Sequence, residues 1–63
     1  MTTTELRAQG GVLVADAAGI RRITLNRPEA ANALRPEDRD AVIHALRTAD
    51  ADPDVRVVVL AAA

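Results

Sequence analysis

Ile20-Arg21-Arg22-Ile23-Thr24-Leu25-Asn26-Arg27-Pro28-Glu29-Ala30-Ala31-Asn32-Ala33-Leu34 is the stretch on which the fold turns. Its first six residues are rich in β-branched side chains, and Ile23 and Leu25 share one face at period two, which predicts a strand. Asn26-Arg27-Pro28-Glu29 ends that strand, because Pro28 cannot donate to a ladder and holds Arg27 extended. A loop or single turn through Ala30-Ala31-Asn32-Ala33-Leu34 follows.

Working towards the N-terminus, Val12-Leu13-Val14-Ala15 is a short apolar run closed by Asp16-Ala17-Ala18-Gly19. That closure has turn chemistry, with Gly where a positive φ is needed. The two runs predict an antiparallel hairpin. Residues 1-10 are polar and mixed and end in Gly10-Gly11, so they read as a flexible tail that becomes a strand only if something pairs with it.

Working towards the C-terminus, Pro36 suits the first position of a helix, and Glu37 and Asp38 place negative charge in its first turn. Arg35 is a poor N-cap. From Pro36 to about Asp50, Val42, Ala45, Leu46 and Ala49 recur at three and four, which predicts one buried stripe with Ile43 at its border. Asp40, His44, Arg47 and Thr48 fall towards the opposite face. Asp50-Ala51-Asp52-Pro53-Asp54 stops the helix, and Val55-Arg56-Val57-Val58-Val59-Leu60 reads as a strand buried on both faces. The whole is an α/β unit of the order ββαβ, with its strand, helix and strand forming a right-handed crossover.

The core of such a unit is thin. A chain of 63 residues with no Cys, Trp, Tyr or Phe has neither a disulfide nor an aromatic anchor, and much of its 49% apolar content is Ala. Eight basic residues, all Arg and scattered, balance nine acidic ones to a net charge of -1. That balance steers the chain to neither nucleic acid nor an anionic membrane. No signal sequence is read at the start, and the apolar run Val57 to Ala63 is too short to span a bilayer, so a cytoplasmic protein is expected.

The stretch Ile23 to Leu34 resembles the first signature of the crotonase (enoyl-CoA hydratase/isomerase) superfamily, a strand followed by Asn-Arg-Pro, a short step and Asn-Ala-Leu. The helix, the Asp52-Pro53 turn and the Val-rich strand continue the likeness from Gly11 to Leu60. The resemblance implies residues 11-63 as a partial domain of the crotonase-like (ClpP/crotonase) fold, truncated, and a role on acyl-CoA thioesters in fatty acid metabolism. It also implies an oxyanion hole of two backbone N–H groups, of which the first lies in a Gly/Ala-rich loop after the strand equivalent to Val55–Leu60. The 63 residues end in Ala61-Ala62-Ala63, and Ala61 and Ala62 stand where the family often has Thr or Ser and then Gly. Neither donor nor the family's acid and base carboxylates are read here, so no catalytic residue is assigned and the fragment is expected to be inactive alone.

What the resemblance does carry over is a wall for coenzyme A, formed by Glu29, Ala30, Ala31 and Ala33 through their backbone. Glu29 stands where the family often has Lys. Coenzyme A enters as part of the substrate, with no separate cofactor. The full-length family is usually homo-oligomeric, and this fragment is expected to self-associate. The alternative is a small non-catalytic α/β module that binds a partner through its exposed strand.

Other residues take plainer readings. Asn32 is expected to bond its own loop backbone, and His44 to pair with Asp40 on an exposed helix face. Asp50, Asp52 and Asp54 make a solvated turn without the longer loop of a calcium site, and one His makes no metal centre. Arg21 and Arg22 point to opposite faces and are expected to be solvated or edge-protecting, while Gly10-Gly11 lacks the spacing of a dinucleotide fingerprint.

Overall fold

The computed structural model describes residues 5–63. Strand β1 (Glu5–Gln9) is followed by β2 (Val12–Ala17), β3 (Ile20–Leu25), a 3-10 turn (Pro28–Ala30), helix α1 (Pro36–Ala51) and β4 (Val57–Ala62). The four strands form one sheet in the order β1-β2-β3-β4. β1, β2 and β3 are antiparallel neighbours, and β4 runs parallel to β3, as the crossover through α1 requires.

The order is therefore βββαβ, and the ββαβ reading is corrected by one strand. Residues 5–9, read as part of a flexible tail, pair with β2 from Glu5 opposite Asp16 to Gln9 opposite Val12. The condition for that strand is met within the chain, whereas residues 1–4 lie outside the described residues. The hairpin between β2 and β3 turns at Ala18 and Gly19, with φ of 52° and 80°. Two successive positive φ values match the twist of the flanking strands, and Gly19 accepts its value without a Cβ penalty.

Helix α1 lies on one face of the sheet over β2 and β3. Val12, Val14 and Ile23 from the sheet meet Ala41 and Ala45 from the helix, with Leu25 and Val42 packed at the side. The buried stripe is thus Asp38, Ala41, Ala45 and Ala49, rotated from the expected one. Small alanines let the helix come close to the sheet. Leu46 lies at the flank of the helix on the side of Val58 of β4 and stays 46% exposed, and Ile43 is 39% exposed. Thr48, expected on the outer face, is half-buried instead and bonds to Arg21.

Strand β4 begins two residues later than read. The N–H groups of Arg56 and Val57 both donate to Gly19 O, so the chain bends into the ladder there. Its expected burial on both faces is corrected: Val57 is 51% and Leu60 64% exposed, because β4 is the sheet edge and no second layer among the described residues covers it.

Candidate functional site

The loop from Arg27 to Ala33 leaves the carboxyl end of β3, beside the carboxyl end of β4. In open α/β sheets that edge is where ligands collect. Pro28 opens the 3-10 turn, and Ala31 and Asn32 then take left-handed φ values of 53° and 55° that reverse the chain. Asn32 tolerates this geometry, whereas Ala31 is held there by its neighbours.

The backbone N–H groups of Arg27 and of Ala30 to Ala33 are consumed within the loop. Ala30 N–H and Asn32 N–H donate to Arg27 O at 3.0 and 2.7 Å, Ala31 N–H to Pro28 O at 3.2 Å, and Ala33 N–H to Ala30 O at 3.0 Å. The carbonyl oxygens of Glu29 and Ala31 accept no hydrogen bond from the described residues. Glu29, Ala30, Ala31 and Ala33 thus come together as one turn, with Ala30 half-buried and the other three exposed. Four cavities of about 270, 120, 250 and 360 Å³ lie elsewhere and none is lined by this loop. The 270 Å³ cavity sits at the opposite end of the sheet, between the Ala18-Gly19 turn and Asp52 to Val55.

Two side chains fasten the loop. Asn32 uses both ends of its amide: Oδ1 accepts Arg27 N–H at 2.7 Å, as read from the sequence, and Nδ2 donates to Ala63 O at 2.7 Å, which was not foreseen. Arg27 Nη1 donates to Ala33 O at 3.1 Å and lies 3.8 Å from Asp38 Oδ2. Its stem crosses Gly11, where a Cβ would come within 2.5 Å of Arg27 Cγ and Cδ. Gly11 is therefore a point of close approach, in keeping with its lack of a side chain.

Asp38 anchors this cluster and is completely buried. Its carboxylate accepts Arg35 Nε and Nη2 at 2.9 and 3.0 Å, Gly11 N–H at 2.7 Å and Arg35 N–H at 3.0 Å. Those bonds, the Arg35 side chain's first and the Gly11 amide's next, hold its carboxyl well below the usual carboxylate range, and Asp38 in turn raises the Arg35 value. They also explain how Arg35 serves at the N-cap. Its side chain has no acceptor, so Asp38 reaches back to its N–H in the acid half of a capping box.

Arg21 is a second residue that sequence reasoning missed. It is 3% exposed, not solvated as expected; Nε and Nη2 bind Asp16 at 2.7 and 2.8 Å, and Nη1 donates to Ala45 O at 2.8 Å and Thr48 Oγ1 at 2.6 Å. Arg21 hydrogen bonding holds the Asp16 carboxyl below its usual value. The signal was present at period two, since Arg21 shares the inward face of Ile23 and Leu25. Arg22 and His44 are exposed, as expected, but among the described residues no hydrogen bond or ion pair joins His44 to Asp40, so the expected pair is not formed.

The enoyl-CoA hydratase/isomerase family model matches residues 15–63, which takes in the hairpin turn, the loop, α1 and β4. The chain belongs to the enoyl-CoA hydratase/isomerase family. A search of the curated proteins finds no match. Membership fits the arrangement of the described residues, a four-stranded sheet with one α-helix, and the matched region takes in the Asn26-Arg27-Pro28 loop. Among the described residues no helix is long and apolar enough to cross a membrane, and no three His, Cys, Asp or Glu side chains gather as a metal site.

Proposed function

We propose that this chain contributes one wall of an acyl-CoA thioester site, with Glu29, Ala30, Ala31 and Ala33 meeting the coenzyme A portion of a cytoplasmic substrate. The observation that carries the reading is the family match over a region whose exposed loop stands at the carboxyl ends of two parallel strands. With its N–H groups from Ala30 to Ala33 already donated and the carbonyls of Glu29 and Ala31 open, the loop is built to accept. An exocyclic amine of adenine is a donor of the right kind. No converging pair of N–H groups is left between Ala30 and Ala33 for an oxyanion, and the chain by itself is expected to turn over no thioester.

The test is a nuclear magnetic resonance titration of the isotope-labelled chain with coenzyme A, alongside a hydration assay on a crotonyl-type thioester. Shifts centred on Glu29 to Ala33, weak binding and no turnover are expected, because one open wall cannot bury a large ligand. Silence at these amides in excess coenzyme A would sink the wall. A submicromolar dissociation constant would contradict a single wall, and reproducible hydration would mean that the site has been misplaced. The partner-binding module remains the second reading, favoured by the uncovered β4 edge with Val57, Val58 and Leu60 exposed.

A further inference from the structure

We propose that Asn32 is a positioning residue that locks the loop Arg27–Ala33 to the carboxyl end of β4, so that the proposed coenzyme A wall and the strand end move as one body. The proposal rests on the wall reading above and adds to it the residue that holds that wall against the strand end.

Ala63 is gripped from two sides. Its N–H donates to Leu25 O at 2.9 Å, which prolongs the β3–β4 ladder, and its main-chain oxygen accepts Asn32 Nδ2 at 2.7 Å. The tie spans 31 residues of chain. Asn32 Oδ1 meanwhile holds Arg27 N–H at the other end of the loop, so a single amide side chain closes the loop and fastens it across the sheet edge. Such a double role needs a donor and an acceptor on one short side chain at a left-handed φ. Asn meets all of these demands together. Leu, Ser or Gln at this position would lose the second donor, the reach or the backbone preference.

Asn32→Asp separates the two functions. The carboxylate keeps an acceptor for Arg27 N–H and tolerates the left-handed backbone, but sets an oxygen against Ala63 O where a donor stood. Asn32→Gly keeps the backbone and removes both bonds. Ile23→Val, in the core, serves as a control that loosens the whole sheet.

The experiment measures amide exchange and coenzyme A-induced shifts residue by residue in the full 63-residue chain. In Asn32→Asp, the Ala63 amide should exchange about tenfold faster while Arg27 N–H stays protected, the scale of one lost hydrogen bond. Ile23→Val should accelerate exchange across all the strands alike. Coenzyme A should shift both Glu29–Ala33 and Ala61–Ala63 in the parent chain but only Glu29–Ala33 in Asn32→Asp. Parent-like exchange at Ala63 together with parent-like shifts at Ala61–Ala63 in Asn32→Asp would overturn the proposal. If Asn32→Asp does not fold, Asn32→Gly decides by the same Ala63 readout. If coenzyme A shifts nothing in the parent chain, the wall reading falls, while exchange at Ala63 still judges the tie itself.

Discussion

Replacing Arg21 by Met keeps the length of the side chain and removes its guanidinium from the contact between sheet and helix. Arg21 is 3% exposed and makes two charge-assisted bonds to Asp16, one to Ala45 O and one to Thr48 Oγ1. Breaking a buried ion pair by deleting one partner costs about 3–5 kcal/mol. That figure must be reduced here. The Asp16 side chain is 21% exposed and retains Arg7 at 3.4 Å, and Ala45 O still accepts Thr48 Oγ1 at 3.2 Å. A loss of about 2–3 kcal/mol remains, against a total stability of about 3–9 kcal/mol for a chain of this length. Urea unfolding followed by far-ultraviolet circular dichroism reads it through α1, since the chain has no Trp or Tyr. Arg22→Met, at an exposed site on the same strand, should stay within about 0.5 kcal/mol. In an Asp16→Asn background the Arg21→Met effect should shrink by about 1 kcal/mol or more, as a coupled pair demands. An Arg21→Met loss no larger than that of Arg22→Met would refute the claim that this arginine joins helix to sheet.

Val58→Lys puts a charge on the uncovered β4 strand, so self-association in sedimentation runs should fall while the unfolding midpoint changes little. A sharp parent monomer with strongly protected Val58, Leu60 and Ala62 amides would contradict the open edge. Ala18→Asn creates an Asn-Gly pair where both φ values are positive, and thermal unfolding should show a gain of about 0.5–1 kcal/mol. Asp16 and Asp38 are both held below the ordinary value of 3.8 in the folded chain, so the unfolded state takes up their protons first as pH falls. Their contribution is complete above the unfolded value and is lost as pH drops through the lower folded values. The melting temperature should therefore be flat from about pH 8 to 5 and decline below about pH 4, and a chain that gains stability on acidification would reverse the assigned sign.

Much of the architecture was legible from local chemistry. The hairpin through Ala18-Gly19, the start of α1 at Pro36, the Asp52-Pro53 stop and the parallel return of β4 all follow from periodicity and turn residues within a few positions of one another. The Asn26-Arg27-Pro28 loop and its family were legible for the same reason, as a contiguous motif. The side of α1 that meets the sheet was not. Leu46 outranks Ala41 in hydrophobicity, yet the helix seats its alanines because they permit close approach, and its flank faces a strand it does not cover.

The ties that organise the site join residues far apart in sequence: Gly11 with Asp38, Arg21 with Ala45, Asn32 with Ala63. Sequence by itself determined which segments are strand, helix and turn, since those depend on neighbours along the chain. Only the tertiary structure decided that Arg21 and Asp38 are buried, that residues 5–9 form a strand and that Asn32 reaches β4. The two burials and the Asn32 tie depend on polar groups that meet across 24 to 31 residues of chain once the sheet has formed, and no local pattern encodes that meeting, whereas residues 5–9 needed only β2 as a partner, 3 to 11 residues away.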